Sequence, residues 1–479
     1  MLTYFRTQYG KYPHTCADTY ELNEHFIDAI DDEHTLVTTR YRAWVVLDKR
    51  EYALLVEHRL EEDLDLYSTL EDLGIILTDR NINDVAQMYT VRYKYLSRPP
   101  GLFIIIPTKR CNQGCGYCHS SSQYVRPDEV GWDMPEEVAF KTVDFFLSIP
   151  RLDPLNFHLE FQGGEALLCY DYVQKIMDYT IEQAKAQGAT VSFYIASNLT
   201  LMTDEIAEDI KQRRNIRIGS SIDGPKDIHN KQRPMKGGGN AYDKVVYWVN
   251  RLRDKFDMNV GVLSTVSRRH LNREKEVIDT QLSLGSNHLT ASRFLHYGEK
   301  QYRNKMLTAE EALESWKRSL EYILEKNKQG QFCVEYGTLQ TLQKLLTLDM
   351  DFMCDRRPCG AAVSQITVDQ FGDIYACDEG RSIPELAYGN VLTHTYDDII
   401  TSETALFSRS FATEVLPMCN TCPVQAYCGA CFVRGTSYEG HPVPEPAGSF
   451  ECELHLKMAP YLIKKMMDKD TAKILNSWV

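Results

Sequence analysis

Cys111-Asn-Gln-Gly-Cys115-Gly-Tyr-Cys118 follows closely on the apolar run Leu102-Phe-Ile-Ile-Ile-Pro107. Three thiolates spaced C-x3-C-x2-C hold three irons of a [4Fe–4S] cube and leave the fourth iron without a protein ligand. Such cubes are normally held by four cysteines, so this spacing leaves an open coordination site. An open site on a redox metal is where a substrate or cosubstrate binds. The alternative is a structural zinc knot, which needs a fourth Cys or His; His119, beside Cys118, would serve.

The chain has 479 residues, 14 of them cysteine, and a net charge of −14. That balance argues against nonspecific nucleic-acid binding, because phosphate contacts need Lys and Arg. The N-terminus lacks the apolar core of a signal peptide. No apolar run approaches the roughly 20 residues of a membrane span. A cytoplasmic protein is expected, and there so many cysteines read as metal ligands or catalysts, not disulfides. Eleven fall into three local groups, leaving Cys16, Cys169 and Cys333 as small buried hydrophobes. Residues 1–100 carry 11 basic and 18 acidic side chains, read as solvated faces, with a basic peptide as the alternative partner.

Residues 1–98 read as a separate small α+β module: strands at Thr35–Thr39 and Ala43–Leu47, then helices near Lys49–Glu57 and Asp65–Leu73. Strands followed by small helices suit a winged-helix-like fold. Ser97-Arg-Pro-Pro-Gly101 is a linker, since neither proline donates a backbone hydrogen bond. Across 99–300, six short apolar runs alternate with amphipathic helices: Phe103–Ile106, Phe157–Phe161, Val191–Ala196, Ile216–Ile222, Val260–Val266 and His288–Leu295. Such α/β alternation, with strands buried on both faces, predicts a parallel sheet under a helical layer. Ligands then bind at the C-terminal strand ends, where the cysteine loop lies. Residues 301–348 form a helical bridge around Ala309–Lys328, 349–456 a Cys-rich region, and 457–479 a closing helix, kinked or restarted at Pro460.

Two further elements end strands. In Glu160-Phe-Gln-Gly163-Gly164-Glu165, paired glycines let backbone come close to a ligand, and the carboxylate accepts from an ammonium group. In Ser220-Ser221-Ile-Asp223-Gly224-Pro225, hydroxyl and carboxylate bind polar ligand atoms, or else form a cap and turn.

The cysteine spacing is the signature of radical S-adenosylmethionine (SAM) enzymes, and the chain resembles that superfamily from about residue 100 onward. The resemblance implies a partial (β/α)6 TIM-type barrel. It assigns Cys111, Cys115 and Cys118 to the SAM-binding cluster and Gly163, Gly164 and Glu165 to the SAM amino group. Ser221 and Asp223 would hold SAM ribose or carboxylate oxygens, with Asn198 and Arg293 as further contacts and Tyr117 near the adenine. His229 and Arg233 would line the cavity. One electron would cleave the sulfonium, and the resulting 5′-deoxyadenosyl radical would remove hydrogen from an unactivated carbon.

The later cysteines resemble the SPASM domain of peptide maturases. Twelve residues separate Cys359 from Gly372, within that pattern, while Cys428-Gly-Ala-Cys431 is one residue shorter than usual. The resemblance gives one auxiliary [4Fe–4S] cluster to Cys354, Cys359, Cys377 and Cys431, and a second to Cys419, Cys422, Cys428 and Cys452. With the SAM-binding cluster that makes three. Zinc is the competing reading of the C-x2-C pairs. Asp378 matches the general base of the sulfatase-maturing branch, and reads otherwise as a turn aspartate.

Ser221-Ile-Asp-Gly-Pro225, His229-Asn-Lys-Gln-Arg-Pro234 and Cys428-Gly-Ala-Cys431 place the chain nearest the His-Xaa-Ser system maturase and its cyclophane-forming relatives. The implied substrate is a ribosomally made precursor peptide, crosslinked carbon to carbon, with a low-potential donor such as flavodoxin or ferredoxin. Formylglycine- or thioether-forming maturases, and a non-enzymatic iron–sulfur scaffold, are the alternatives.

Overall fold

The computed structural model describes residues 3–4, 12, 14–150, 156–294, 304–348, 353–429, 431–440 and 447–479. Its central element is the strand Leu102–Thr108, whose residues Phe103–Ile106 are at most 3% exposed. Buried on both faces, it needs neighbours on both edges. On one side Asn156–Gly163, Thr190–Ala196, Ile216–Ser221 and Gly261–Leu263 follow in order, all parallel. On the other lies Gln365–Val368, also parallel, with Thr367 opposite Ile104. Asp373–Tyr375 and Gly389–Asn390 extend that edge antiparallel. The helices Glu136–Ser148, Tyr170–Ala186, Asp204–Arg213 and Ala241–Phe256 bury their apolar stripes in the core shared with this sheet. The result is the expected open, barrel-like parallel sheet.

The sixth strand departs from expectation. His288–Leu289 pairs with Val334–Glu335 outside the main sheet, and only an isolated parallel bridge, Val266 to Phe294, continues the barrel; Leu295 lies outside the described residues. Side chains replace the ladder there. Gln281 bonds both Thr290 N, at 2.9 Å, and Thr290 O, at 3.2 Å, while Thr290 Oγ1 accepts from Ser264 N at 2.7 Å.

The N-terminal region holds both expected strands, His34–Thr38 and Trp44–Asp48, within a four-stranded antiparallel sheet. Both expected helices are present, at Lys49–Val56 and Leu64–Asp72, with a third, unforeseen, at Ile82–Tyr93. It has a core cluster of its own and also packs against the later helices. Alternate residues face opposite ways along a strand. Val37, Val45 and Leu47 meet the local helices, while Leu36, Trp44 and Val46 join the core of Ala309–Lys328, Tyr336–Leu346 and Phe450–Met466. Trp44 Nε1 donates to Leu345 O at 2.8 Å, Thr38 Oγ1 to Pro423 O at 2.7 Å and Arg42 Nε to Ala426 O at 3.1 Å. The closing helix is likewise continuous through Pro460, because Met458, Ala459, Leu462 and Ile463 are buried around it. That packing offsets the roughly 3 kcal/mol a mid-helix proline costs.

Trp44→Ala removes a fully buried ring from this shared core, and should cost about 3–5 kcal/mol in urea denaturation. Loss of N-terminal and C-terminal helical signal in one transition would confirm the joint core; two separated transitions would refute it.

Candidate functional site

The cysteine loop is fastened by backbone contacts independent of its thiols. Gly114 N donates to Pro234 O at 2.8 Å and Lys236 N to Asn112 O at 2.9 Å. Lys236 Nζ donates to Cys111 O at 2.9 Å and Ser122 O at 2.7 Å, so one ammonium gathers carbonyls along the loop. Nothing in the sequence marks Lys236 for this, because binding to carbonyls leaves no local pattern. Burial, with Glu165 adding, pushes the Cys111 thiol up to about 12, and burial also raises Cys115. These groups ionise readily only when a metal displaces the proton. His119 does not complete a zinc knot: its Nε2 meets Asp378 Oδ2 at 2.5 Å.

The three cysteines line a cavity of about 530 Å³ together with Glu165, Asn198, Ser221 and Arg293. Cys354, Cys377 and Asp378 line the same cavity. Its size suits a cofactor or small substrate. Glu165 is 1% exposed and takes hydrogen bonds from Leu167 N (3.1 Å), Ser197 Oγ (2.7 Å) and Asn198 N (2.7 Å). Burial raises its carboxyl against the pull of those donors. Among the described residues no Lys, Arg or His forms an ion pair with it. A buried carboxylate without a cation fits an ammonium ligand. Asn198 Nδ2 ties Asn112 Oδ1 at 2.8 Å and stands 4.0 Å from Cys111 Sγ.

The paired glycines make a close approach to backbone that the sequence did not foretell. A methyl on Gly164 would fall 2.0 Å from Arg110 O, and one on Gly163, whose φ is +122°, 2.6 Å from Thr108 O. Backbone at Thr108 and Arg110 lies against the Cβ side of them, and both glycines also line the cavity.

Asp223 also departs from its expected role. It is 0% exposed, and its Oδ2 accepts from Tyr117 OH (2.5 Å), Gln232 Nε2 (2.9 Å) and Arg233 Nε (2.9 Å). Oδ1 accepts from Thr265 N at 3.0 Å. Burial alone would raise its carboxyl, but Arg233 and His229 hold it well below the usual range. With its lone pairs committed, Asp223 braces Arg233 instead of reaching a ligand. Tyr117 belongs to this network too, its ring 5.4 Å from the Arg233 guanidinium carbon. His229 is fully buried beneath the cavity wall, and its Nδ1 accepts from Asp223 N at 3.2 Å. Ser221 lines the cavity, and so does Ser220, whose buried Oγ has no partner among the described residues. Arg293 is an exposed cation on the opposite wall.

Asp378 is bound on both oxygens, by His119 and by Arg381 Nε at 2.7 Å. Burial opposes ionisation, yet Arg381 and His119 hold the carboxyl well below its ordinary range. Arg381 also donates to Ser120 Oγ, which donates to Gly163 O at 3.0 Å. The network therefore joins the cysteine loop, the glycine pair and the Cys377 turn. Sequence reasoning missed Arg381 and Ser120, which carry no motif.

The later cysteines form two groups, and no cysteine is in a disulfide. Cys377 is raised by burial and then by Glu379, Cys431, Cys354 and Cys359. Cys419 is pushed up to about 11 by burial and then by Cys428, Cys422 and Cys452. Cys431 is thus among the charges that raise Cys377. Among the described residues no three ligating side chains converge as one metal ion requires.

Residues 105–278 match the family described as Radical SAM superfamily. An uncharacterised protein of Methanocaldococcus jannaschii is 25% identical over 57% of this chain and 83% of its own length. The serine-type anaerobic sulfatase-maturating enzyme of Bacteroides thetaiotaomicron is 23% identical over 67% of this chain and 80% of its own. Among solved structures, native anSMEcpe with bound AdoMet and Cp18Cys peptide superposes with a TM-score of 0.64 at 20% identity, covering 79% of this chain and 99% of that one. Streptococcus suis SuiB bound to precursor peptide SuiA gives 0.52 at 13%, covering 87% and 96%. At such identities the likeness to the solved structures concerns fold.

Gly164→Ala should abolish iron loading of the three-cysteine site, read by iron analysis and absorbance, whereas Gly101→Ala, facing open space, should not. Asp223→Asn leaves the part-buried Arg233 beside a neutral partner and should cost roughly 1–3 kcal/mol in denaturant unfolding. A fully stable variant would show that the pair braces nothing.

Proposed function

We propose, from the radical SAM domain that residues 105–278 form, that the chain is a maturase of a ribosomally made peptide. One observation carries the reading. The three-cysteine loop and Cys354, Cys377 and Asp378 line one cavity. A peptide side chain entering it would lie between a cosubstrate and a second redox group. The peptide-bound structures of anSMEcpe and SuiB support the substrate class.

Cys111, Cys115 and Cys118 would hold the SAM-binding cluster, and the two later groups of four would each hold an auxiliary cluster. Bound there, cluster and SAM supply one-electron reduction and abstraction of hydrogen from carbon. The protein's part is orientation and charge. Glu165 takes the SAM ammonium, offsetting its own buried charge. Ser220 or Ser221 and Asn198 hold polar oxygens at the strand ends, and Arg293 offers a cation to a carboxylate. Gly163 and Gly164 act indirectly, by seating the cysteine loop. Of the two hydrogens the peptide loses, one would leave as an atom to the deoxyadenosyl radical; the other would leave as a proton to Asp378 or a neighbour, its electron passing to an auxiliary cluster.

The product we favour is an intramolecular carbon–carbon crosslink of cyclophane type, on the residues shared with the His-Xaa-Ser maturases. A formylglycine- or thioether-forming reaction is the second reading, favoured by the sulfatase-maturating relative. Residues 1–98 would bind the precursor, and flavodoxin or ferredoxin would supply electrons. No helix among the described residues is long and apolar enough to cross a membrane; a cytoplasmic location remains part of the proposal.

Anaerobically reconstituted protein with SAM and dithionite should release 5′-deoxyadenosine, and Cys115→Ala should release none. Absence of the nucleoside from the wild type would leave only a scaffold. With the cognate peptide, mass spectrometry should find two hydrogens lost and every thiol retained. Loss of a thiol would select the thioether reading.

A further inference from the structure

Arg357 lies between Cys354 and Cys359 in sequence and is 3% exposed. Its Nη1 donates to the carbonyls of Cys354 at 2.9 Å and Arg356 at 2.5 Å. Its Nε and Nη2 are buried and make no hydrogen bond, and among the described residues no carboxylate pairs with it. The nearby acids are otherwise engaged: Glu379 and Glu451 face Arg434 at 4.0 and 3.8 Å. The other neighbouring side chains add positive charge, not relief. Burial and then Lys344, Arg357 and Arg434 drive His455 well below its ordinary pKa. A buried guanidinium with two idle donors and no anion is strongly disfavoured.

Its position names the missing anion. A methyl on Gly429 would meet Arg357 Nη2 at 3.2 Å and His455 Nε2 at 3.1 Å, so the guanidinium lies against the turn from Cys428 to Cys431. Those cysteines belong to different groups of four. Arg357 therefore lies beside Cys354 of one set and beside Gly429, the neighbour of Cys428 of the other.

We infer that Arg357 is the counter-ion of the auxiliary iron–sulfur site held by Cys354, Cys359, Cys377 and Cys431, its free N–H groups serving the sulfurs and its charge raising the reduction potential. The inference rests on reading those cysteines as cluster ligands. Cluster potentials follow net charge, hydrogen bonds to sulfur and solvent exposure, and Arg357 supplies the first two. Its part is positioning and tuning, without contact to the peptide.

The test uses full-length protein with Cys111→Ala, Cys115→Ala and Cys118→Ala, so that only auxiliary clusters report in an EPR-monitored redox titration. Adding Arg357→Gln should lower the reduced-to-oxidised ratio at fixed potential at least tenfold, a midpoint shift of about 59 mV for one electron. Arg357→Lys keeps the charge and should stay within about threefold of the parent. If the Gln variant fails to load iron while the Lys variant loads and titrates like the parent, the counter-ion role is also supported. Equal shifts in both variants, or none in a fully loaded Gln variant, would overturn it. A parent without auxiliary iron would overturn the cluster reading, and this inference with it.

Discussion

The site depends on one contact between two stretches of backbone: the turn after the second barrel strand pressed against the start of the cysteine loop. Gly164 approaches Arg110 so closely that no side chain fits, and Glu165 N donates to Arg110 O at 2.8 Å. That contact fixes where Cys111 emerges and places the Glu165 carboxylate beneath it. Asn198 then binds both Glu165 and Asn112, so three consecutive strand ends form one platform. The chemistry assigned to Cys111, Cys115 and Cys118 presupposes this platform.

Opposite it, the Cys-rich region is built into the same sheet. Gln365–Val368 pairs with the free edge of the first barrel strand, and Asp378 and Arg381 bond His119 and Ser120 directly. The Cys-rich region and the cysteine loop are therefore joined at the cavity. A radical site gains from enclosure, which keeps water and side reactions away from reactive groups.

What the sequence disclosed followed the range of the interactions. The cysteine loop was legible because three ligands of one cluster must sit within a few residues. The five laddered barrel strands and the helix Ala309–Lys328 were legible because burial imposes a period on neighbouring positions. Asp223 was misread, since its partners Tyr117, Gln232, Arg233 and Thr265 meet only after folding. The glycine pair was recognised as a close approach, but a glycine does not say what approaches it. The sixth strand failed because Gln281 and Thr290 side chains took over bonds that a backbone ladder would have made. The N-terminal region looked independent because Leu36, Trp44 and Val46 alternate with residues facing the other way, and a strand's period does not name its partners.

The pairing of Leu102–Thr108 with Gln365–Val368 also bears on synthesis. During translation the first barrel strand emerges early, yet one of its edges stays open until the ribosome has passed Val368. An apolar strand with an unpaired edge is a template for association with other chains. Pairings so distant in sequence form slowly. The nascent chain thus carries an apolar strand with one open edge until Val368 has been made.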